Sequence, residues 1–185
     1  MNWNQEWGKR LFDCTVSALG LSVLWPIVML LSVIIFMRDG QNPIFNQKRV
    51  GRDGVTFTLF KLRTMPKPTP NLPTHEIDQS MISQFGHFLR KSRLDELPQL
   101  LNVVTGSMSL VGPRPCLPSQ LALIEERKAR GVLKMRPGIT GLSQVRGLDM
   151  SDPAELAKMD AEYSGPLSFK GDLAILFRTF APSLR

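Results

Sequence analysis

Asp95 and Glu96 stand side by side in "SRLDELPQLLNVVTGSMSLVGPRP", residues 92–115, in a chain whose charge is otherwise mostly basic. Two adjacent carboxylates can supply a nucleophile or a partner for a divalent cation. An ionised Asp beside a bound phosphate is what phosphoryl transfer through an aspartyl-phosphate needs. Around the pair the sequence offers cations on stiff stems. In "GPRP", 112–115, Pro113 fixes its own φ and Pro115 pushes Arg114 towards an extended conformation, which makes a rigid phosphate clamp. "RPGITG", 136–141, repeats the pattern, with Arg136 ahead of Pro137 and glycines that permit close backbone approach. Together with Lys61, Arg63 and Arg90 these cations form the set that a diphosphate substrate requires.

A blander reading competes. Ser92-x-x-Asp95 resembles a helix-capping arrangement, and Leu94, Leu97, Leu100 and Leu101 make a plausible buried stripe with the acids facing solvent. Pro98 argues against a helix that starts at Ser92, because it would fall at the sixth position, where it loses a hydrogen bond and its ring clashes with an earlier carbonyl. A helix starting around residues 95–97 instead places both acids at its N-terminus. Unpaired backbone N–H groups there bind phosphate and keep a carboxylate ionised. Short acidic helix starts are common, so the residues alone leave both readings open.

The elements that must position these groups can be read in outline. "PIFNQKRVGRDGVTFTLFKLRTM", 43–65, reads as a β-hairpin turning at Asp53-Gly54, with Val55, Phe57, Leu59, Lys61 and Arg63 on one face of its second strand. That face begins apolar and ends in two cations, which fits either the rim of an anion site or cations snorkelling at a strand end. "PKPTPNLP", with prolines at 66, 68, 70 and 73, is a loop. "LPSQLALIEERKAR" is a helix with Pro118 in its first turn, Gly131 as its stop, and Glu125, Glu126, Arg127 and Lys128 facing outwards. "SDPAELAKMDAEY" is a helix capped by Ser151 or Asp152 with Pro153 first. Phe169, Leu173, Leu176, Phe177 and Phe180 recur at helical spacing, so this last helix either lies flat on a membrane or packs into the core.

Ahead of all this, no residue from Cys14 to Met37 is charged. A helix of that length covers about 36 Å, enough for a hydrocarbon core of about 30 Å. The run is too long for a cleaved signal peptide and lacks a small-residue cleavage site before Arg38. Pro26 near its middle predicts a kink, and basic residues flank both ends: Lys9 and Arg10 before, Arg38, Lys48 and Arg49 after. A kinked hairpin keeps both flanks on the cytoplasmic side, whereas a tilted single-pass anchor carries one across. The residues leave both open.

Length and composition narrow the functional classes. At 185 residues the chain holds one domain with a core plus appendages. A formal charge of +7 points to an anionic partner: phosphate, nucleic acid or an acidic lipid surface. Cys14 and Cys116 are too far apart in sequence to suggest a disulfide framework or zinc site, and neither His75 nor His87 sits in a nucleophile motif. A membrane-anchored nucleic-acid-binding protein is the rival of a different class. The single Tyr, and basic residues that alternate with Pro and Gly instead of interleaving with aromatics, leave it without a stacking platform. A non-catalytic adaptor is a second rival, which the intact Asp-Glu pair and cation set do not favour.

The residues also resemble a known family. "KRLFD" (9–13), "KLRTM" (61–65), "LRKSRLDELPQLLNVVTGSMSLVGPRP" (89–115), "RPGITGLSQ" (136–144), "DAEY" (160–163) and "LSFKGDL" (167–173) are similar to the bacterial monotopic phosphoglycosyl transferases, or bacterial sugar transferases, in their smallest form. That resemblance implies an α+β fold, mainly helical with a small β-hairpin and interfacial amphipathic helices. It implies a re-entrant membrane helix over 1–40, broken at Pro26, and a cytosolic catalytic domain over 41–185. It also implies transfer of a sugar 1-phosphate from a UDP-sugar, with an N-acetylated amino sugar as the class expected, to undecaprenyl phosphate. Asp95 would be the nucleophile and Glu96 its partner, both at a Mg²⁺ site, with UMP released. Lys61, Arg63, Arg90, Pro113, Arg114, Arg136 and Gln144 would bind substrate. The expected setting is the cytoplasmic face of the bacterial inner membrane, in contact with the lipid bilayer and with no nucleic-acid partner. Two departures from the family pattern are Trp25 in place of Ser before Pro26, and Arg146-Gly147-Leu148 where many relatives carry Asn-Gly-Arg.

Overall fold

One long helix, α1 (Trp3–Asp39), runs along the domain it anchors. The structure, a computed structural model, describes residues 3–66, 78–163 and 168–180. After α1 come the hairpin strands β1 (Ile44–Val50) and β2 (Thr56–Leu62), α2 (Gln84–Lys91) and α3 (Gln99–Val104). β3 (Ser109–Val111), α4 (Leu121–Ala129), β4 (Gly138–Thr140) and α5 (Leu142–Val145) follow, then α6 (Pro153–Tyr163) and α7 (Phe169–Phe180). Helices dominate and the strands form two separate two-stranded sheets, so the expected α+β class holds. Most of the proline-rich stretch expected as a loop lies outside the described residues.

The hairpin forms as expected. β1 and β2 pair antiparallel with Phe45 opposite Lys61, and the turn places Asp53 (φ 55°) and Gly54 (φ 77°) in the left-handed region that Asp-Gly favours. The free edge of β2 is closed by one side chain of α3. The buried Asn102 accepts a hydrogen bond from Phe60 N–H (3.1 Å) and donates to Thr58 C=O (2.8 Å). This locks α3 beside the strand that carries Lys61.

The second sheet was not foreseen from the sequence. β3 and β4 pair in parallel, Ser109 with Gly138 and Val111 with Thr140, which brings "GPRP" and "RPGITG" together as the two connected ends of one small sheet. Glycine makes this possible. A Cβ on Gly138 would lie 2.1 Å from Gly112 N, and one on Gly112 would lie 2.5 Å from Arg136 O.

α1 differs from expectation. No interruption occurs at Pro26, and the helix continues through it to Asp39. Two features hold it. Ser22, one turn earlier, donates its hydroxyl to Leu19 C=O (2.8 Å), a polar bond inside the apolar run. One face also packs on the domain on both sides of the proline: Asp13 and Ser17 before it, Val28, Leu31 and Ile35 after it. The latter three join Leu62 and Leu89 in one cluster. Near its start Lys9 pairs with Asp172 at 2.5 Å, and Asp13 accepts the Ser109 hydroxyl at 2.6 Å. Both ends of α1 therefore pack on the same domain. The opposite arc, with Leu19, Val23, Leu30, Val33 and Met37, is exposed. The helix is long and apolar enough to cross a membrane.

Three smaller expectations are revised. α4 begins at Leu121, because the Gln120 side chain takes Leu117 N–H and keeps Pro118 in the preceding turn. Arg127 does not face outwards, as described below. α7 combines both readings offered for it, with Ile175 in the core and Phe169, Leu173 and Phe177 exposed. Asp152 proves to be the cap of α6, accepting from Ala154 and Glu155 N–H.

Gly138→Ala should destabilise the fold by about 3 kcal/mol, because backbone on both sides prevents relaxation. Gly8→Ala, in a helix with open space around it, should cost nothing. Denaturant unfolding of both variants checks this.

Candidate active site

Asp95 and Glu96 occupy a single 3₁₀ turn, Leu94–Glu96, between α2 and α3. α2 ends at Ser92, whose hydroxyl donates back to Phe88 and Leu89 carbonyls, so Ser92 closes one helix instead of capping the next. Arg93 then takes a left-handed φ of 57°, a conformation that a non-glycine residue keeps only when its surroundings hold it. The acids precede α3 and Pro98 stands at its N-cap, as the proline argument requires. α3 is only six residues long, however, and the positive charge facing Asp95 comes from side chains, not from a helix end.

Those side chains line one open cleft of about 470 Å³, the size range of small-ligand sites. Lys61, Arg90, Asp95, Glu96, Arg114 and Gln144 are all in it. Asp95 is only 7% exposed. Its burial and the adjacent Glu96 push its carboxyl up to about 6, against the pull of Lys61, Arg90 and Arg114. It is ionised at neutral pH but held in an environment that disfavours the charge, which suits a nucleophile. Burial, Arg49 and the other cations lower Lys61 to about 8 despite Asp95, leaving it mostly cationic at pH 7. Its ammonium also lies 5.2 Å from the centre of the Phe45 ring. Arg90 donates Nε to the Thr64 hydroxyl (3.0 Å), and Arg114 reaches Glu96 Oε1 through both Nη atoms at 3.3 and 3.4 Å.

The stiffness expected of "GPRP" has a larger cause than proline. Three consecutive carbonyls are held: Pro113 by Gly138 N–H (2.9 Å), Arg114 by Arg127 Nη1 (2.9 Å) and Pro115 by Arg49 Nη1 (3.0 Å). Arg127 is buried in an ion pair with Asp160, at 2.7 and 3.0 Å, and Asp160 also accepts the Ser143 hydroxyl. Breaking a buried pair of this kind leaves an uncompensated charge.

Three residues expected to bind substrate do not line this cleft. Arg63 shares the Phe45 ring with Lys61, but its Nε donates to Asn42 C=O and Asp39 draws its charge beyond the rim. Pro113 contributes its backbone carbonyl, not a cleft wall. Arg136 precedes β4 and so lies at the starts of the parallel strands, with Nε on Gly106 C=O (3.0 Å), whereas Arg114 and Pro115 follow the end of β3. Two cations that line the cleft were missed, Arg93 and Arg49. Arg49 is no membrane flank; it is buried in the cleft, with Gln47 Oε1 taking Nε and Nη2. Burial and Arg114 lower it to about 10, so it stays cationic. The period of two that puts Gln47 and Arg49 on one face was its only sequence signal.

Among the described residues no three His, Cys, Asp or Glu side chains converge as a metal group. Asp95 and Glu96 alone fit Mg²⁺, which commonly takes one or two carboxylates and completes its shell with substrate phosphates and water.

Because ionising Asp95 is harder in the folded than in the unfolded chain, its contribution to stability is complete below about 4 and is lost as pH rises through about 6. Asp95→Asn should therefore melt higher than the wild type at pH 7.5, by roughly 5 °C. The two should converge at pH 4 to 5. Thermal melts across that range check it.

Comparison with known proteins agrees with this geometry. The model of the bacterial sugar transferase family matches residues 4–185. The uncharacterized sugar transferase EpsL of Bacillus subtilis is 37% identical over 171 residues, covering 92% of this chain and 84% of that protein. A UDP-glucose:undecaprenyl-phosphate glucose-1-phosphate transferase of Caulobacter vibrioides is 37% identical over 187 residues, 95% of this chain and 69% of its own length. An undecaprenyl-phosphate galactose phosphotransferase of Salmonella typhimurium is 34% identical over 197 residues, and the match covers 96% of this chain but only 40% of that protein. With its Asp-Glu pair set among convergent cations and residues 4–185 matched, the chain belongs to the bacterial sugar transferase family.

Proposed function

We propose that the protein transfers a sugar 1-phosphate from a UDP-sugar to undecaprenyl phosphate through a covalent phosphosugar on Asp95, releasing UMP. The observation that carries this reading is a buried carboxylate pushed up to about 6 in an open cleft whose lining includes Lys61, Arg90, Arg114 and Arg49. In the first step a carboxylate oxygen of Asp95 forms a bond to the β-phosphorus. The bond from that phosphorus to the bridging oxygen breaks, and UMP leaves with the electron pair. The four cations neutralise the charge that develops on the transferring and leaving phosphates. In the second step an oxygen of undecaprenyl phosphate attacks the same phosphorus, restoring the Asp95 carboxylate and forming the polyprenyl diphosphosugar.

Glu96 holds Arg114 in place through both guanidinium nitrogens. Asp95 and Glu96 would hold Mg²⁺, which when bound supplies further charge neutralisation at the diphosphate. Gln144 borders the cleft near Ile139, whose carbonyl takes its Nε2 (3.0 Å). Arg146 is turned away to Glu162 (2.9 Å), so the displaced arginine of this chain is not placed at the cleft.

The setting proposed is the cytoplasmic face of the bacterial inner membrane, in the first membrane step of glycoconjugate synthesis. The apolar arc of α1 supports the bilayer as a partner. Cations that converge on a carboxylate pair inside a cleft favour an enzyme over a nucleic-acid-binding surface. An N-acetylated amino sugar is the donor class to test first, beside the glucose and galactose named for relatives.

Detergent-purified protein given Mg²⁺, undecaprenyl phosphate and a panel of UDP-sugars should release UMP with at least one donor, and Asp95→Asn should reduce that release by at least about 10³-fold. Unchanged UMP release by Asp95→Asn would contradict the nucleophile assignment.

A further inference from the structure

A second pocket lies at the starts of β3 and β4, away from the catalytic cleft, and the two share no lining residue. Lys9, Arg10, Arg52, Lys134 and Arg136 border it, with Glu6 and Asp13. Its two kinds of charge are not evenly matched. Lys9 is taken by Asp172 at 2.5 Å with Asp13 at 3.8 Å, and Asp13 also accepts the Ser109 hydroxyl. Of the acids in the pocket, only Glu6 then remains for the other four cations. It approaches Arg52 at 3.7 Å, and Arg52 also meets Asp53, outside the pocket, at 3.5 Å, so among the described residues Arg10, Lys134 and Arg136 are left without an ion pair in it.

Arg10 and Arg136 are positioned by backbone without being neutralised. Arg10 donates to Val104 C=O (3.0 Å) and Met108 C=O (3.4 Å), and Arg136 to Gly106 C=O. These carbonyls close the C-terminal end of α3 and the turn after it. Burial, then Arg52 and Arg10, lower Arg136 below the usual guanidinium range, the sign of like charges facing one another. A tetrahedral oxyanion would relieve that repulsion with forked guanidinium hydrogen bonds. The space in the pocket is about 40 Å³, where a single water needs about 10–15 Å³, so it admits a group of one phosphate's size and not a nucleotide. The pocket sits beside the first turns of α1, where exposed Trp7 and Leu11 begin the apolar surface. A Trp at the end of an apolar stretch is a typical residue of the headgroup level.

We propose that this pocket is a second, non-catalytic anion site that takes a single phosphate group, borne by an anionic phospholipid headgroup or by free phosphate. It does not depend on the catalytic reading.

The test follows the unfolding midpoint of the full chain in detergent with added phosphatidylglycerol, phosphatidylcholine or inorganic phosphate. Phosphatidylglycerol at a hundredfold excess over its dissociation constant should raise the midpoint by about 5 °C, and phosphatidylcholine should not. Arg52→Glu with Lys134→Glu should remove the rise, while Lys128→Glu, an exposed charge reversal on α4, and Asp95→Asn should keep it. A full rise with inorganic phosphate, lost in the same double variant, would assign the site to the free anion. An equal response in the wild type and the double variant, or no response to any anion, would overturn the proposal. Retention in Asp95→Asn keeps this outcome separate from that of the catalytic assignment.

Discussion

A buried carboxylate, Asp95, that has lost water and faces the charge of its half-buried neighbour Glu96 carries a cost, and the rest of the catalytic domain is arranged around it. Asp95 is drawn inwards by the left-handed turn at Arg93, and Glu96 is drawn aside by Arg114. Opposite charge is then brought from four separate places: β1 supplies Arg49, β2 Lys61, α2 Arg90 and the segment after β3 Arg114. Arg49 and Arg90 are fixed through backbone or a neutral side chain, and Arg114 alone of the four pairs with a carboxylate, Glu96, so most of the positive charge stays available to a ligand. The balance falls short of full compensation, and the raised Asp95 carboxyl records this. A bound diphosphate would change the sign of the balance, since the cations lining the cleft outnumber the acids.

α1 is part of the same construction, not a tether. Its inner face packs against the domain from Asp13 to Ile35, on both sides of Pro26, while its outer arc exposes large apolar residues. A perpendicular crossing of a bilayer would carry the elements packed on that face into hydrocarbon, where their polar groups lack water. An anchor whose outer arc alone meets lipid keeps the cleft and the membrane surface on one rigid body. That geometry suits an enzyme with one water-soluble and one lipid-borne substrate.

Much of the site was legible in local sequence because proline and glycine act locally. Pro98 dictated that the acids precede α3, Asp53-Gly54 dictated the hairpin turn, and strand alternation put Lys61 at the cleft. What escaped was non-local. The β3–β4 pairing joins segments whose strands are three residues each, too short to show a pattern. Arg127 looked like one more exposed charge until Asp160, on another helix, buried it. Arg49 read as a membrane flank because its partners, Gln47 and the Pro115 carbonyl, are neutral. Arg136 and Arg63 shared the motifs of the site but not its place, since a motif specifies stiffness and not direction. At Pro26 the helix continues where the sequence suggested a break, with packing on both sides to hold it.

The central claim is that Asp95 carries the phosphosugar. Intact-protein mass spectrometry after incubation with the UDP-sugar donor and no polyprenyl acceptor tests it most directly. The account predicts a mass gain of one sugar phosphate, mapped by proteolysis to the peptide containing Asp95 and removed by undecaprenyl phosphate. An adduct that forms equally on Asp95→Asn, or product formation with no adduct at any time, would contradict it.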